Sequence, residues 1–107
     1  MDYRGLAMHT SASFEKLLRD HGHYLDELSI ITIRYVRYLE DQYEQASILE
    51  NEVIREYKES GNDQFDAKSY SYPWYHDARW GEATDTLDAI EYEVDELYKI
   101  VEGMDYI

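Results

Sequence analysis

The sequence predicts an all-α protein in which a long helical hairpin is joined to a short N-terminal helix. Apolar residues recur at alternating spacings of three and four along two long segments, which is the pattern of amphipathic helices. Hydrophobic residues make up 44% of the chain and aromatic residues 15%, a content that disordered acidic segments do not have. The length of 107 residues predicts a single acidic helical domain covering residues 1–107.

The short N-terminal helix is predicted at about residues 13–21. Ser11 or Ser13 is the expected N-cap, because a serine hydroxyl can accept a hydrogen bond from a free N–H group of the first turn. Gly22 either ends this helix or lies inside a longer one. We favour the break, so that the short helix folds back on the next.

The first long helix is predicted at about residues 24–59, with Gly61 as its stop signal. Val36, Tyr43 and Tyr57 widen its apolar stripe on one flank. Its heptad-like positions form two series: Leu25, Thr32, Leu39, Ala46 and Val53, and Leu28, Tyr35, Gln42 and Leu49.

Residues 29–39 within this helix are rich in β-branched and aromatic side chains and could instead form a strand. We favour helix, because no turn residues bound the segment and the helical register passes through it. Several apolar side chains then lie outside the main stripe, which places the helix either in the centre of a bundle or at an oligomer interface. These side chains are the candidate self-association residues, and the oligomeric state stays open. These residues are Ile30, Ile31, Ile33 and Tyr38.

The second long helix is predicted at about residues 73–102. Ser71 is a candidate cap, Pro73 lies near the first helical position, where proline is tolerated, and Gly81 is a candidate kink. The predicted stripe consists of His76, Trp80, Ala83, Leu87, Ile90, Val94, Leu97 and Val101.

The charge is concentrated in part of the chain. Asp and Glu number 24 against 10 Lys and Arg, a net charge of −14, and residues 1–39 contribute none of it. The negative net charge excludes a conventional nucleic-acid-binding protein, which needs a basic face. Like charges lie three or four residues apart near the C-terminus, where they repel one another. The sequence therefore predicts either a face that meets a basic partner or a merely solvated outer face.

Small acidic helical inhibitors that phages encode against restriction and CRISPR nucleases resemble this chain in size, charge and helicity. The leading hypothesis is a non-enzymatic mimic of nucleic acid that blocks the basic nucleic-acid-binding site of a partner, such as a nuclease complex. The alternative is an assembly subunit that forms an obligate helical oligomer. The expected partner-binding carboxylates are Asp85, Asp88, Glu91, Asp95, Glu96, Glu40, Asp41 and Glu44.

Aromatic residues crowd into residues 65–80, which favours either a small satellite core or a protein-binding hot spot. Trp74 and Tyr75 fall off the helical stripe and are the expected apolar anchor, whereas Trp80 fits the stripe and is expected in the core.

Catalytic and metal-binding patterns are not evident. The only cluster of histidines and carboxylates surrounds His21 and His23 and has no convergent metal-binding spacing. The absence of cysteine excludes thiol chemistry and Cys-ligated metals. We expect no enzymatic activity, no cofactor, no metal and no direct nucleic-acid binding. With no apparent leader or membrane span, the expected location is the cytoplasm, or the host cytoplasm for a phage protein.

Overall fold

The computed structural model describes residues 9–24 and 26–103, and it confirms the all-α fold with a long helical hairpin and a short N-terminal helix. Within these residues there is no strand, only an isolated bridge between Asp66 and Ser71. Residues 29–39 are helical. The elements are α1 (Ser11–Asp20), α2 (Glu27–Glu59), a 3₁₀ turn (Pro73–His76) and α3 (Ala78–Glu102).

Helix α1 begins two residues before the predicted start because Thr10 is its N-cap. The Thr10 hydroxyl accepts a hydrogen bond from Ser13 N at 3.3 Å, and the Ser13 hydroxyl accepts one from Thr10 N at 3.0 Å. This reciprocal capping box satisfies two backbone donors that the helix leaves free. The prediction of Ser11 or Ser13 as the cap is therefore wrong.

Both glycines predicted to end helices do so. Gly22 and Gly61 have φ angles of 82° and 74°, in the left-handed region that favours glycine. At the end of α2, Gly61 N donates to Lys58 O and Asn62 N donates to Tyr57 O. These two bonds form a Schellman motif, which satisfies the last carbonyl groups of the helix.

Helix α2 begins at Glu27, not at about residue 24, because Asp26 caps it. Asp26 Oδ1 accepts a hydrogen bond from Ser29 N at 2.9 Å. This contact and a hydrogen bond from the His23 ring hold the pKa of Asp26 below its usual value. Leu25, which was expected in the apolar stripe, lies outside the described residues.

Helix α3 begins at Ala78, five residues later than predicted. Pro73 starts the 3₁₀ turn instead, and Asp77 then adopts an extended conformation with φ −80° and ψ 125°. Asp77 Oδ1 accepts a hydrogen bond from Arg79 N at 2.9 Å, so Asp77 caps α3 and Ser71 does not.

The chain divides into two compact units, to each of which α2 and α3 contribute residues. Unit 1 comprises the described residues up to Gln42 and from Ala89 onward, and unit 2 is Tyr43–Asp88. The buried apolar residues of unit 1 are Phe14, Leu18, Val36, Leu39, Ile90, Val94 and Val101. Those of unit 2 are Tyr43, Ala46, Val53, Trp74, Ala83 and Leu87.

The buried stripe of α2 keeps a seven-residue repeat, but its second series is not the predicted one. Val36, expected on the flank, is fully buried, whereas Tyr35, expected in the main series, is 39% exposed. The first predicted series holds, because Thr32, Leu39, Ala46 and Val53 are buried at seven-residue intervals. The second buried series contains Val36 and Tyr43, which follow Thr32 and Leu39 by four residues and not by the predicted three.

In unit 1, α1 contacts both long helices, as the predicted fold-back requires. Glu40 on α2 accepts a hydrogen bond from Ser11 N in the first turn of α1. Phe14 packs edge-on against Tyr98 of α3, with ring centroids 5.3 Å apart, and Tyr98 also stacks on His9.

Candidate functional site

The aromatic connector of unit 2 is a packed cluster. Trp74 stacks on Tyr72 with ring centroids 4.5 Å apart and planes 5° apart, and it forms a T-shaped contact with Tyr57. Only 7% of Trp74 is exposed. Its ring therefore belongs to the core of unit 2, which corrects the expectation that it lies outside the core as an apolar anchor.

Tyr75 and Trp80 lie at the edge of this cluster. Tyr75 is 44% exposed and stacks on Trp80 with ring centroids 4.7 Å apart. Trp80 is half-buried, and its Nε1 is buried without an acceptor among the described residues. Tyr75 thus retains an accessible ring and stays a predicted anchor.

A polar clamp joins the end of α2 to the start of α3. Arg79 donates to Asp77 Oδ1 at 3.1 Å and Oδ2 at 3.0 Å, and to Glu56 Oε2 at 2.7 Å. Tyr57 donates to Asp77 Oδ2 at 3.0 Å. The Arg79 hydrogen bonds hold the pKa of Asp77 well below its usual range and lower that of Glu56, and the bond to Asp77 raises the pKa of Tyr57.

This clamp was not predicted from the sequence. Asp77 directly before Ala78 is a recognisable N-cap signal, because aspartate is among the preferred N-cap residues. The pairing of Arg79 with Glu56 joins residues 23 positions apart, and no local pattern indicates it.

A chain of hydrogen bonds crosses the connector from His76 to Asp66. Ser69 must donate to the carboxylate of Asp66, at 3.0 Å, because a carboxylate only accepts. Ser71 therefore donates to Ser69 at 2.9 Å, and His76 Nε2 donates to Ser71 at 3.1 Å. In this arrangement the histidine nitrogen is the donor and the Ser71 hydroxyl the acceptor.

The acidic residues of unit 2 outnumber its bases. It has eleven carboxylates and four basic side chains, a net charge of −7. Arg55 pairs with Glu59, and Arg79 pairs with Glu56 and Asp77. Four exposed carboxylates have neither an ion pair nor a hydrogen bond among the described residues: Glu44, Glu52, Glu82 and Asp85. Glu44, Asp85 and Asp88 are the predicted partner-binding carboxylates that lie in unit 2, and Asp88 is exposed as well.

The predicted acidic residues of unit 1 have more local partners. Asp95 and Glu96 both pair with Lys99, at 3.1 and 3.6 Å, and these contacts raise the pKa of Lys99. Glu40 is half-buried, where it accepts the hydrogen bond from Ser11 N. Asp41 is exposed and Glu91 is half-buried. Glu40 thus has a structural contact within the fold. The predicted acidic residues of unit 1 therefore form a weaker partner-binding surface than the carboxylates of unit 2.

The predicted self-association residues lie on α2 in unit 1. Ile31 is 65% exposed, Tyr38 57% and Ile30 43%. Ile33 is half-buried and lines a groove that also includes Arg34. The structure thus leaves three of these four side chains accessible.

His23, between α1 and α2, has a structural role. His23 Nδ1 lies 2.7 Å from Asp26 Oδ2 and supports the residue that caps α2. Within residues 9–24 and 26–103, no group of three histidines and carboxylates could hold a metal ion. None of the three described helices combines the length and apolarity that a membrane crossing needs.

Comparisons with protein-family models, curated proteins and solved structures found no match to this chain.

Proposed function

We propose that the chain is a non-enzymatic acidic binding protein that mimics nucleic acid and occupies the basic nucleic-acid-binding site of a partner. The observation that supports this proposal most is the set of exposed carboxylates in unit 2 that have neither an ion pair nor a hydrogen bond among the described residues: Glu44, Glu52, Glu82 and Asp85. An inhibitor of a nuclease or defence complex is its most concrete form.

The spacing of these carboxylates suits a phosphate-binding groove. Glu82 and Asp85 lie three residues apart on α3, and side chains at this spacing on a helix are roughly 5–6 Å apart. Successive phosphates on a strand have a comparable separation. A basic groove that neutralises a row of phosphates can therefore neutralise a row of helix carboxylates, and it attracts them over a distance.

The cost of this charge also supports the proposal. Exposed like charges at three- and four-residue spacing destabilise a helix slightly, whereas mixed charges would provide solubility without that cost. Two of the four bases of unit 2, Arg55 and Arg79, are already held in ion pairs. The remaining field is strongly negative, so that unit 2 would repel nucleic acid itself.

The test uses two double variants with the same change in net charge. Glu82→Lys with Asp85→Lys reverses two unpaired carboxylates of unit 2. The control, Glu15→Lys with Asp20→Lys, reverses two exposed carboxylates of α1, whose ion pairs with Arg19 and Lys16 contribute little to stability. Circular dichroism and thermal melting establish that both variants remain folded.

Proteins that bind immobilised duplex DNA are purified from a lysate and passed over the immobilised chain. Under mimicry, the chain captures some of them at about 50 mM salt, duplex DNA displaces them, and their affinity falls steeply towards about 200 mM salt. The unit 2 variant should bind roughly tenfold or more weakly, and the α1 control much like the wild type. If binding to every captured protein ignores salt and competing DNA, the proposal is wrong.

A second candidate function is an assembly subunit whose helices form an obligate oligomer, the charge serving solubility. The exposed apolar side chains of Ile30, Ile31 and Tyr38 favour it. Under this alternative, Ile31→Asp dissociates the protein, and the Glu82→Lys and Asp85→Lys changes have little effect on any interaction.

A further inference from the structure

Unit 1 has two exposed stripes of side chains, and in each stripe a charged residue lies between two apolar residues of the same helix. The first, the basic stripe, consists of Ile31, Arg34 and Tyr38 on α2. Ile31 is 65% exposed and Tyr38 57%, and Arg34 between them is exposed too. Spacings of three and four residues place these side chains on one face of the helix. Large apolar side chains concentrated on one exposed face indicate a surface that a partner covers.

Arg34 distinguishes this face from a purely apolar one. It has no ion pair among the described residues, although the chain has 24 carboxylates. Among the other four basic side chains that the structure describes in unit 1, Lys16, Arg19 and Lys99 each pair with a carboxylate on their own helix, and Arg37 does not. The basic stripe is thus suited to an apolar surface that contains a carboxylate.

The second stripe, the acidic stripe, provides that surface. It consists of Tyr92, Glu96 and Ile100 on α3, four residues apart in each step. Tyr92 is 70% exposed and Ile100 64%, and the side chain of Glu96 is 45% exposed. The outer residues of the basic stripe are seven positions apart, which is roughly 10 Å along a helix. The outer residues of the acidic stripe are eight positions apart, which is roughly 12 Å. The two stripes therefore match in length and order and have opposite central charges.

We propose that the basic stripe binds the acidic stripe of a second copy of this chain. Arg34 of one copy pairs with Glu96 of the other, and the exposed apolar residues on either side are removed from water together. The occupant is a second copy because the chain itself presents a complement of the right charge and spacing. Burial of the apolar side chains provides the affinity, and the charge pair sets the register.

The weak local pairing of Glu96 is compatible with this role. Lys99 lies 3.6 Å from Glu96 but 3.1 Å from Asp95, so Asp95 holds the shorter ion pair. Both pairs are exposed and contribute little to the stability of the single chain. Glu96 can therefore bind an arginine from another chain without disturbing the fold.

The test is a charge exchange measured by sedimentation and light scattering from about 1 μM to about 1 mM protein. The wild type should associate as concentration rises, with a mass of two or more chains. Arg34→Glu alone places two carboxylates opposite each other, and Glu96→Arg alone places two arginines opposite each other. Each single variant should therefore raise the dissociation constant roughly tenfold or more.

An equimolar mixture of the two single variants should associate again, because the Glu at position 34 then meets the Arg at position 96, and the reverse contact joins Arg34 to Glu96. The double variant of one chain should recover association in the same way. A contact with any other acidic protein would not produce this reciprocal recovery.

Matched controls make the same charge changes away from the two stripes. Lys16→Glu on α1 and Glu102→Arg on α3 should leave the association unchanged. A wild type that is monomeric at every concentration overturns the proposal, as does association that neither single variant weakens. Its outcome is independent of the proposed function, because that test changes Glu82 and Asp85 and measures binding to other proteins.

Discussion

The hydroxyl of Tyr57 donates a 3.0 Å hydrogen bond to Asp77, which ties the last turn of α2 to the residue that caps α3. Arg79 reinforces the tie by binding Asp77 and Glu56 together. The connector of unit 2 is thus anchored at both ends by one polar cluster. A single carboxylate serves as helix cap, ion-pair partner and acceptor from a tyrosine.

The charge of Asp77 should therefore stabilise the protein at neutral pH and cease to do so in acid. The pKa of this carboxyl is lower in the folded state than the usual value near 4, so the unfolded chain binds its proton first as the pH falls. Asp77→Asn keeps the side-chain shape and the capping oxygen but removes the charge. We expect a lower melting temperature for the variant at pH 7 and a difference that shrinks below about pH 4. A difference that stays constant down to about pH 2 would contradict the assigned role of the charge.

Tyr35 and Tyr57 should ionise above the usual pKa of a tyrosine. Tyr35 donates to Glu93 and Tyr57 donates to Asp77, and each hydrogen bond raises the pKa of the phenol because it favours the protonated form. The contribution of these two hydrogen bonds to the stability of the fold is present below about pH 10. It is lost as the pH rises through the raised pKa values of the two tyrosines. Ultraviolet titration should show a late component that decreases in Tyr35→Phe and in Tyr57→Phe. Tyr70→Phe, which changes an 82% exposed side chain, is the control and should leave that component intact.

Glu40 should hold α1 in place. Its carboxylate accepts a hydrogen bond from Ser11 N in the first turn of α1, where the helix dipole also favours an anion. Glu40→Ala should therefore expose backbone amides of α1 to faster hydrogen exchange, with little change in α3. Glu44→Ala removes an exposed carboxylate one turn further along α2 and should leave exchange in α1 unchanged. Equal protection of α1 in both variants would show that the Glu40 contact has no such role.

The sequence predicts the fold because the signals for it are local. Apolar residues at three- and four-residue spacing locate α2 and α3, and Gly22 and Gly61 mark helix ends that need a positive φ. The first turns are less predictable, because several nearby side chains can cap a helix. Thr10, Asp26 and Asp77 act as caps in place of their neighbours.

The predicted surface residues depend on contacts that local patterns do not encode. Trp74 falls off the stripe of a continuous helix, yet its ring is buried because the 3₁₀ turn redirects the chain and stacks it on Tyr72. Glu40 is a charged residue of the kind expected to bind a partner, but the fold-back of α1 places Ser11 N beside it. Charge and hydropathy indicate which residues are available to a partner, and only the tertiary contacts show which of them the fold already uses.

Two glycines of unit 2 should respond in opposite ways to the same substitution. Gly81 lies inside α3, and a Cβ added there would meet no atom within 4 Å. Gly81→Ala should therefore stabilise the protein by about 0.5–1 kcal/mol, because alanine loses less backbone freedom on folding and favours the helix. A Cβ on Gly61 also has open space, but its φ of 74° strains an alanine, so Gly61→Ala should destabilise by about 1 kcal/mol. Urea unfolding of the two variants measures both changes, and a shift of the same sign in both would contradict the assigned backbone conformations.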